Sequence, residues 1–448
     1  MVVLKFGGTS VGSAKNIKKV VEIITNTPQK KVVVLSAVSG TTNTLMQIFK
    51  AIEQNKEQES VALTSNLKVS YLSLIDELFR TNRYRKKASV FINKEFNFLL
   101  QQLKKAANLL LENTILAQGE ILSTNLVQLY LEERCVSTRL ISALDFMEVG
   151  TDNEPNALKI KENILPIINQ NNDEKIFITQ GFICKKNNGD ISNLKRGGSD
   201  YTASLIGAAI GAREIQIWTD INGMHNNDPR FVENTFSIEE ISFDEAAELA
   251  YFGAKILHPQ SLIPAKENNI PVLLKNTFNP LSKGTIIKNK TAHKGFTAVA
   301  AKDGITVLKI KSYRMLMAYG FLKKVFEVFE KNQTSIDMIT TSEVAVSLTI
   351  DNNLKINKII SELQQYGKVE VDYNLTIVCV AGDFSENKEG TTTKVFNALK
   401  NIPIRMVSYG GSNYNISLLV KNSDKITALK ALNEGLFEEK NLLLEATW

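Results

Sequence analysis

A glycine pair set between an apolar segment and a helical one constrains this chain most strongly. The apolar run at 176–183 has the pattern of a buried strand, and a turn at 185–190 follows it. Residues 200–210 have helical character and end at Gly211, a residue typical of helix C-termini. Because Gly197 and Gly198 carry no Cβ atom, their backbone can approach a ligand closely. The segment predicts a ligand-binding loop at the start of a helix.

Charged and capping residues surround this glycine pair. Ser199 is a favourable N-cap residue, and the helix that it would begin offers free N–H groups with a partial positive charge. Arg196 adds a guanidinium group that fits a carboxylate or a phosphate with two hydrogen bonds. Asp200 places a carboxylate at the same helix terminus. On its own, the loop fits an anion-binding site and a capped surface turn equally well.

Three further motifs, in a fixed order, decide between these two interpretations. The chain contains KFGGTS at residues 5–10, TDINGMHNNDPR at residues 219–230 and FGAKILHP at residues 252–259. Together with RGGSDYT at residues 196–202, they resemble the aspartokinases of the amino-acid-kinase superfamily. The resemblance covers essentially the whole chain and is closest to the monofunctional, lysine-sensitive type.

The bulk composition excludes several other classes of protein. At 448 residues the chain is too long for one core, which predicts two or three domains. A net charge of +6 without a long basic run gives no reason to expect nucleic acid as a partner. The three cysteines are scattered, which argues against disulfides or a zinc site and predicts a cytoplasmic protein. We expect neither a membrane span nor a signal peptide, because the chain opens with a strand and contains no long apolar run.

The N-terminal part alternates strands with helices. Residues 2–6 form an apolar run that predicts a buried strand, and residues 17–24 place apolar side chains on one helical face. The alternation continues beyond residue 270 and predicts a mostly parallel sheet with helices on both faces. Such sheets bind ligands beyond the carboxyl ends of their strands, where Lys5, Arg196 and Thr219 would meet. We predict an α/β, three-layer αβα sandwich, the amino-acid-kinase fold, at residues 1–292.

A long helical stretch, at about 43–134, interrupts this alternation. Its middle, residues 68–105, is rich in Lys, Arg and Leu and contains neither Gly nor Pro, which predicts several antiparallel helices. We expect most of it to be a structural insertion with a solvated basic face. Within it, Glu120 follows Gly119 at a predicted helix start, where an acid usually lies on the surface. In aspartokinases the matching acid reaches the amino group of the substrate, and the resemblance implies this role for Glu120.

The C-terminal third contains two copies of a repeat that reads strand, helix, strand, strand, helix. This order predicts two ferredoxin-like α+β modules, which resemble the ACT domains of aspartokinases. The resemblance implies that one module is inserted in the other. The first would occupy residues 303–372, and the second would occupy 293–302 and 373–448. The strand at 296–301 would then pair with the second module.

The resemblance implies a kinase that uses ATP and Mg²⁺. Lys5 would neutralise charge on the transferred phosphoryl group, while Asp200 would orient Lys5 and organise the assembly of Mg²⁺ and phosphates. We expect no dedicated metal site, since Mg²⁺ would be carried mainly by the ATP phosphates. His225 stands where the family usually has Tyr, so the nucleotide contact there would differ. The ATP-binding residues implied by the family are Lys5, Gly7, Gly8, Ser10, Thr219, Asp220, His225, Arg230 and Lys255.

The same resemblance assigns the residues that would bind L-aspartate. Arg196 would bind the α-carboxylate with the help of Thr42 and Ser199, and Glu120 would bind the α-ammonium group. A protein base is not expected, because the β-carboxylate of aspartate is already an ionised nucleophile.

A second site would bind a regulator. Residues 335–343 read SIDMITTSE, which resembles the SVDLITTSE segment of lysine-sensitive aspartokinases. Asp337 would pair with the ammonium group of lysine, and backbone near Gly320 would bind its other end. Met317 and Ala318 replace the His and Ser common in lysine-sensitive relatives, which leaves the effector open. The allosteric residues implied are Met315, Gly320, Phe321, Leu322, Ser335, Asp337, Ser342 and Glu343.

These assignments predict an aspartate kinase that makes 4-phospho-L-aspartate, the first step toward lysine, threonine and methionine, under feedback by lysine. We expect no homoserine dehydrogenase half, because the chain ends soon after the second repeat. ACT modules commonly pair between subunits, which predicts a homodimer or a tetramer. One alternative is a related kinase acting on glutamate or acetylglutamate, which the repeats and the FGAKILHP segment disfavour. Another is an amino-acid sensor without kinase activity, which the charges at Lys5, Arg196 and Asp200 disfavour.

Overall fold

The chain folds into two compact units. The computed structural model describes residues 1–170, 174–194, 197–253, 257–312, 319–386 and 389–445. The first unit comprises Met1–Met224 and Leu257–Lys290, and the second comprises His225–Ile256 and Thr291–Trp448. Within the described ranges, no helix is long and apolar enough to cross a membrane.

Strands and helices alternate through much of the chain. In chain order, the strands are β1 (Val2–Phe6), β2 (Lys31–Leu35), β3 (Arg139–Ile141), β4 (Glu148–Val149), β5 (Ile176–Gln180), β6 (Ile183–Lys186), β7 (Ile191–Asn193), β8 (Ile215–Thr219), β9 (Glu240–Ser242), β10 (Val272–Asn276), β11 (Thr285–Lys288), β12 (Gly295–Lys311), β13 (Ile339–Thr341), β14 (Ala345–Ile350), β15 (Lys368–Asp383), β16 (Met406–Tyr409) and β17 (Asn415–Lys421). The helices are α1 (Ala14–Asn26), α2 (Thr41–Glu53), α3 (Glu57–Leu78), α4 (Asn82–Gln102), α5 (Leu109–Glu133), α6 (Ala143–Phe146), α7 (Ala157–Asn169), α8 (Gly198–Ile210), α9 (Phe243–Tyr251), α10 (Pro259–Glu267), α11 (Phe321–Lys331), α12 (Ile356–Leu363), α13 (Thr391–Ala398) and α14 (Lys425–Glu445).

The first unit contains a mostly parallel sheet. Its strands lie in the order β3-β5-β2-β1-β8-β10-β11, and each of these pairings is parallel except that of β10 with β11. Val2, Leu4 and Phe6 of β1 share one apolar core with α1–α5, and Val3 is buried on the opposite face. Continuous apolar strands of this kind form where helices cover both faces of a sheet. The predicted three-layer α/β architecture is confirmed.

The predicted strand at 176–183 is divided into two strands. β5 ends at Gln180 and joins the main sheet, whereas β6 begins at Ile183 and joins a small sheet of order β4-β6-β7. Between them, Phe182 has a φ of 67°, a left-handed conformation that is uncommon for a residue with a side chain. The apolar run conceals this break, because hydrophobicity does not report a change of backbone direction.

Helices α2–α5 occupy the predicted helical stretch at 43–134. Basic side chains such as Lys86 and Lys87 are exposed, as predicted, while each helix buries apolar residues in the core shared with β1, among them Tyr71, Phe96 and Tyr130. Glu120 lies in the middle of α5 with 4% of its surface exposed, and it does not mark a helix start. A helix that packs on several neighbours can bury an acid that the sequence pattern shows only as a polar residue.

Helix α8 follows the glycine pair and begins two residues earlier than predicted. Its N-cap is Gly197, with a φ of 73°, so Ser199 lies within the first turn and is not the cap. A left-handed N-cap disfavours residues with a Cβ atom, which explains the glycine. The helix ends before Gly211 as predicted, where φ is 58°.

The second unit is built on an antiparallel sheet of order β13-β14-β12-β15-β17-β16. Strands β12 and β15 pair along most of their length, and both run through the two predicted modules. Helices α11 and α12 pack in one apolar core, and α13 and α14 pack in another. The two ferredoxin-like modules are confirmed, as is the pairing of the strand at 296–301 with the second module. The sequence pattern does not predict the part of β15 before Leu375.

The segment that follows β8 packs within the second unit. Asn226 donates to Asn433 Oδ1 at 2.9 Å, and Asn227 donates to the Leu429 carbonyl at 3.0 Å, which fastens the segment to α14. Thr297 of β12 donates to Glu245 of α9. Packing thus assigns residues 225–253 to the unit that carries the repeats. The domain boundary at residue 292 stays a sequence prediction.

Candidate active site

A largely buried ion pair lies near the carboxyl end of β1. The Lys5 ammonium nitrogen is 2.7 Å from Asp200 Oδ1, and each side chain is 12% exposed. Lys5 belongs to a strand paired on both sides, with β2 and β8, while Asp200 lies in the first turn of α8. Salt screens such an enclosed pair much less than a surface pair. The structure therefore presents one fixed ammonium group at this end of the sheet.

The turn after β1 lies close to the loop after β2. A Cβ atom on Gly7 would lie 3.5 Å from the Lys5 ammonium, and one on Gly8 would lie 3.1 Å from the Ala37 carbonyl oxygen. Glycine at both positions lets the backbone approach a ligand beside Lys5. Gly7 donates its N–H to the Trp218 carbonyl at 3.2 Å. Gly8 is therefore better placed than Gly7 to donate an N–H group to a phosphate.

Ser10 already has hydrogen-bond partners inside the protein. Its side chain is fully buried, and its hydroxyl lies 2.7 Å from the Thr277 hydroxyl and 3.4 Å from the Trp218 carbonyl. Its N–H donates to the Gly7 carbonyl at 3.0 Å. Buried polar groups are normally satisfied inside the protein, and Ser10 follows this rule. Ser10 therefore stabilises the turn, and its contact with a phosphate stays a prediction.

Glu120 is a buried acid with one unsatisfied oxygen. Oε1 accepts a hydrogen bond from the Ala37 N–H at 3.2 Å, whereas Oε2 has no partner among the described residues. Burial raises the pKa of Glu120 to about 8, although the Ala37 N–H and, more weakly, Lys5 favour its ionised form. A buried acid in this condition lacks a bonded cation, and the ammonium group of a ligand would supply one.

Close packing brings α5 to the loop that precedes Thr42. A Cβ atom on Gly119 would lie 2.8 Å from the Ala37 Cβ atom, so the approach requires glycine. The Thr41 hydroxyl, at the start of α2, lies 3.0 Å from the hydroxyl of Tyr71 on α3. Thr42 is the next residue and is half-buried. The structure thus brings two of the predicted aspartate-binding residues, Thr42 and the buried acid of α5, to one loop.

Two glycines position Ser199 and Phe182 at the start of α8. A Cβ atom on Gly181 would lie 2.5 Å from Ser199 Oγ, and one on Gly198 would lie 2.6 Å from the Phe182 ring. Phe182 donates its N–H to Thr202 Oγ1 at 3.0 Å, which helps to hold its left-handed backbone. Strained backbone concentrates at functional sites, so Phe182 joins the candidate site. The sequence pattern did not predict Phe182 as a site residue, and its position directly after Gly181 is the one sequence feature that could have indicated it.

Three predicted site residues, Arg196, Lys255 and Met315, lie outside the described residues. Met317 and Ala318, which depart from the lysine-sensitive pattern, also lie outside them. The roles implied for these five positions stay predictions.

Thr219 and Asp220 lie at the carboxyl end of β8. The Thr219 hydroxyl donates to Asp220 Oδ1 at 3.1 Å, and the Thr219 carbonyl accepts from the Thr277 N–H at 2.8 Å. The residue before them, Trp218, accepts the hydrogen bond from Gly7. The sheet therefore brings this pair beside the turn after β1, where the sequence pattern predicts the ligand.

His225 and Arg230 belong to the second unit. The His225 ring lies 3.1 Å from the Thr235 hydroxyl and 3.4 Å from the Ser237 hydroxyl, and burial lowers its pKa. Both ring nitrogens therefore have partners within the unit. Arg230 is exposed and is held by the Asp228 carboxylate at 2.6, 2.9 and 3.1 Å, a pairing that raises the pKa of Arg230. Their contacts with a nucleotide remain predictions.

Among the described residues, those predicted to bind a regulator lie mainly around the start of α11 and the turn between β13 and β14. Gly320 is the N-cap of α11, with a φ of 78°, and Phe321 is buried in the module core. The Ser342 N–H donates to the Ala345 carbonyl at 2.8 Å. The exposed members of the set are Gly320, Leu322, Ser335, Ser342 and Glu343.

Asp337 differs from these residues because its side chain is buried and already paired. Its Oδ1 accepts from the Lys302 ammonium at 2.8 Å and from the Tyr251 hydroxyl at 2.9 Å, and the side chain is 1% exposed. Lys302 also lies 2.9 Å from Asp351 Oδ2. Burial raises the pKa of Asp337 against the opposing influence of Lys302. The sequence pattern does not predict that a lysine of the chain itself pairs with this carboxylate.

Comparison with known proteins places these features in a family. Residues 1–276 match the Amino acid kinase family, and residues 378–436 match the ACT domain. Lysine-sensitive aspartokinase 3 of Escherichia coli is 34% identical over 454 residues, which cover 98% of this chain and 99% of that protein. The chain belongs to the aspartokinase family.

Other aspartokinases agree with this assignment. The chloroplastic aspartokinase 1 of Arabidopsis thaliana is 34% identical, over 98% of this chain and 81% of that protein. The crystal structure of E. coli aspartokinase III with aspartate and ADP has a TM-score of 0.83 at 33% identity, over 98% of this chain and 100% of that one. The structure of the same enzyme with lysine and aspartate has a TM-score of 0.81 at 34% identity, over 98% and 99%. The resemblance predicted from the motifs is confirmed.

Proposed function

We propose that this aspartokinase transfers the γ-phosphoryl group of ATP to the β-carboxylate of L-aspartate. The product would be 4-phospho-L-aspartate, the first step toward lysine, threonine and methionine. The observation that carries the proposal is the arrangement of the Lys5–Asp200 ion pair and the unsatisfied Glu120 in one unit. A fixed cation suits a phosphoryl group, and a buried acid suits an amino group. The E. coli relative binds aspartate and ADP, which supports the same pair of ligands.

The proposed reaction needs no protein base. The β-carboxylate of aspartate has a pKa of about 3.9 and is therefore ionised at neutral pH. Catalysis then consists of holding two anions together and neutralising charge on the transferred group. Lys5 would supply the neutralising charge, and Asp200, 2.7 Å away, would keep its ammonium group oriented. The Gly8 N–H would donate to a phosphate oxygen beside them.

Glu120 would bind the α-ammonium group of aspartate through Oε2, the oxygen without a partner among the described residues. This contact would select an amino acid over a simple dicarboxylate, since an uncharged group cannot neutralise the buried acid. Arg196, Thr42 and Ser199 would bind the α-carboxylate. Thr42 and Ser199 lie in the first turns of α2 and α8, where free N–H groups and the helix dipole favour an anion.

We propose that Mg²⁺ accompanies the ATP phosphates. Among the described residues, no three side chains form a cluster that could hold a metal ion. Mg²⁺ typically keeps several waters and takes one or two carboxylates together with substrate phosphates, so Asp200 beside Lys5 fits such an ion. When bound, Mg²⁺ would neutralise negative charge on the β- and γ-phosphates.

We propose that lysine inhibits the enzyme by binding to the second unit around Asp337. The E. coli relative is lysine-sensitive and has been crystallised with lysine, which supports this effector. Inhibition would work by a shift in populations, because lysine can favour the inhibited state only if it binds that state better. Gly320, Phe321, Leu322, Ser335, Ser342 and Glu343 would complete the site, with Met315.

Several further features are proposed on the family pattern. The catalytic domain would comprise residues 1–292, one ACT domain 303–372, and the other 293–302 with 373–448. His225, Arg230 and Lys255 would contact the nucleotide. A homodimer would form through the ACT domains, or a tetramer from such dimers; the exposed edge strand β13 supports this, and sedimentation velocity would test it. We propose a cytoplasmic location from the scattered cysteines.

Aspartate-dependent formation of ADP tests the proposed function. The full chain is assayed with ATP and Mg²⁺, and L-aspartate, L-glutamate and N-acetyl-L-glutamate are compared as acceptors. We expect turnover with L-aspartate, and its loss in Lys5→Met at unchanged melting temperature. Turnover with glutamate or acetylglutamate alone would assign a sister kinase. A wild-type chain inactive with every acid would leave the sensor alternative.

A further inference from the structure

A cluster of four side chains joins the proposed effector site to helix α9. Tyr251, the last residue of α9, donates from its hydroxyl to Asp337 Oδ1 at 2.9 Å. Lys302 donates to the same oxygen at 2.8 Å and lies 2.9 Å from Asp351 Oδ2. The Lys302 ammonium also lies over the Tyr251 ring, 4.5 Å from its centroid. Tyr251 therefore contacts both the carboxylate and the cation of the cluster.

The two residues after Tyr251 pack closely against the segments that carry Lys302 and Asp337. A Cβ atom on Gly253 would lie 2.0 Å from the Ala301 carbonyl oxygen, the residue before Lys302, and the Gly253 φ of 127° is closed to most side chains. Phe252 is buried in an apolar core that includes Met338, the residue after Asp337. Three successive residues thus contact the strands around the effector site, and Lys255, a predicted nucleotide contact, follows two positions later.

The cluster can accept one more cation. When its groups are ionised, Lys302 contributes +1 and Asp337 and Asp351 contribute −1 each, so the net charge is −1. Asp337 Oδ2 is buried and has no partner among the described residues. An unsatisfied buried carboxylate oxygen is costly, and the ammonium group of a ligand would satisfy both the oxygen and the charge.

We propose that Tyr251 is a positioning residue that couples occupancy of the effector site to nucleotide binding through α9 and the segment leading to Lys255. The inference rests on the proposed function, which places lysine at Asp337 and the nucleotide at Lys255. An effector ammonium on Oδ2 competes with the donors on Oδ1 and repels the Lys302 ammonium, which Asp351 retains. Both contacts of Tyr251 then weaken together, because one is to Asp337 and the other to Lys302.

The effect of lysine on the KM for ATP tests the coupling. It is measured for the wild type, for Tyr251→Phe, and for Tyr373→Phe, which removes an exposed tyrosine hydroxyl from β15 of the same unit. In the wild type and the control, lysine should raise the KM for ATP at least about fivefold, a common size for allosteric coupling. In Tyr251→Phe the change should fall below about twofold, with turnover in the absence of lysine retained.

Calorimetry with lysine separates coupling from binding. Tyr251→Phe should bind lysine at least as tightly as the wild type, because the effector bonds Asp337 and the variant removes a donor that competes for that carboxylate. By linkage, a non-hydrolysable ATP analogue should weaken lysine binding in the wild type by the same factor as lysine weakens nucleotide binding. The analogue should have little effect on lysine binding in Tyr251→Phe. A merely structural role for Tyr251 would not remove this reciprocal effect.

A second variant, Lys302→Met, tests the cluster while the Tyr251 hydroxyl stays in place. It changes the net charge of the cluster from −1 to −2 by removing the one ammonium group, so lysine should bind at least about threefold more tightly. Unchanged or weaker binding of lysine would contradict the placement of the effector ammonium beside Lys302.

The Tyr251→Phe variant decides the inference itself. Equal coupling between lysine and ATP in Tyr251→Phe and in the wild type would overturn it.

The outcomes distinguish the inference from the function on which it rests. A wild type without aspartate-dependent turnover would refute the proposed function. A wild type with turnover that lysine inhibits, together with an equally inhibited Tyr251→Phe, would refute only the role of Tyr251. Turnover indifferent to lysine would overturn both the proposed effector and this inference.

Discussion

Two buried carboxylates, one in each unit, are suited to bind an amino group, and they differ in what already contacts them. Glu120 has one oxygen bonded to a backbone N–H and one without a partner among the described residues. Asp337 has an ammonium group and a tyrosine hydroxyl on one oxygen. Burial raises the pKa of both acids. The ammonium group of the substrate would therefore be the first cation to bond Glu120, whereas the ammonium group of the effector would compete with Lys302 for Asp337. The affinity for aspartate should depend more steeply on pH than the affinity for lysine.

Among the variants that test this comparison, Glu120→Gln should have the largest effect on the kinetics. The amide has the same shape but cannot neutralise the ammonium group of aspartate, so kcat/KM for aspartate should fall by at least about 100-fold. The KM for ATP should change little. Glu112→Gln, at a half-buried position on the same helix, is the matched control. Near-normal kcat/KM in Glu120→Gln would remove Glu120 from the substrate site.

The pH dependence of aspartate binding tests the same acid without a mutation. The pKa of Glu120 in the free enzyme is raised to about 8, so below that pH the acid carries a proton that must leave before it can pair with the ammonium group. Affinity for aspartate should weaken by up to about tenfold for each pH unit below 8, until the lower pKa of the occupied site is reached. The KM for aspartate between about pH 6 and pH 9 is the measurement. A flat profile in the wild type would disagree with a raised pKa.

Asp337→Asn should have an intermediate effect, and on a different quantity. It removes the acid that would bind the effector, so the lysine concentration for half-inhibition should rise about tenfold. Asp351→Asn should have a smaller effect, because Asp351 contacts Lys302. Inhibition curves at fixed ATP and aspartate measure both. Equal curves for Asp337→Asn and the wild type would place the effector elsewhere.

Tyr71→Phe should have the smallest effect. The Tyr71 hydroxyl is buried and lies 3.0 Å from the Thr41 hydroxyl, the residue before Thr42. Loss of one such hydrogen bond should raise the KM for aspartate about threefold to tenfold while kcat and the KM for ATP stay close to normal. Tyr130→Phe, which alters another buried tyrosine of the same core, is the control. Equal changes in the two variants would assign Tyr71 to packing alone.

Much of the fold could be predicted because its signals are local. Continuous apolar runs mark the parallel strands, and the repeat of strand and helix marks the two modules. The site at the end of β1 could be predicted as well, since Lys5 and Asp200 lie in motifs whose place in such a sheet follows from the topology. The family resemblance then supplied roles that composition and periodicity do not contain.

The remaining features depend on contacts between distant segments. In the sequence, Glu120 resembles a surface acid. Neighbouring helices bury it, and no local sequence pattern reports such burial. Nothing in the sequence distinguishes Lys302 from other lysines, but the fold places its ammonium nitrogen 2.8 Å from Asp337 Oδ1. The contacts of Asn226 and Asn227 with α14 rely on asparagine side chains, which are equally common in loops. The break at Phe182 is a backbone reversal within an apolar run.

Proton release on ligand binding is the measurement that tests the central comparison most directly. Calorimetric titrations of the wild type near pH 7, in buffers of different ionisation enthalpy, count the protons released by aspartate and by lysine. With a Glu120 pKa of about 8, aspartate should release about one proton per site, and Glu120→Gln should abolish the release. Lysine should release fewer protons than aspartate, because Asp337 Oδ1 already accepts a hydrogen bond from the Lys302 ammonium. Aspartate binding without proton release would contradict the assignment of Glu120 as the acid that receives the substrate amino group.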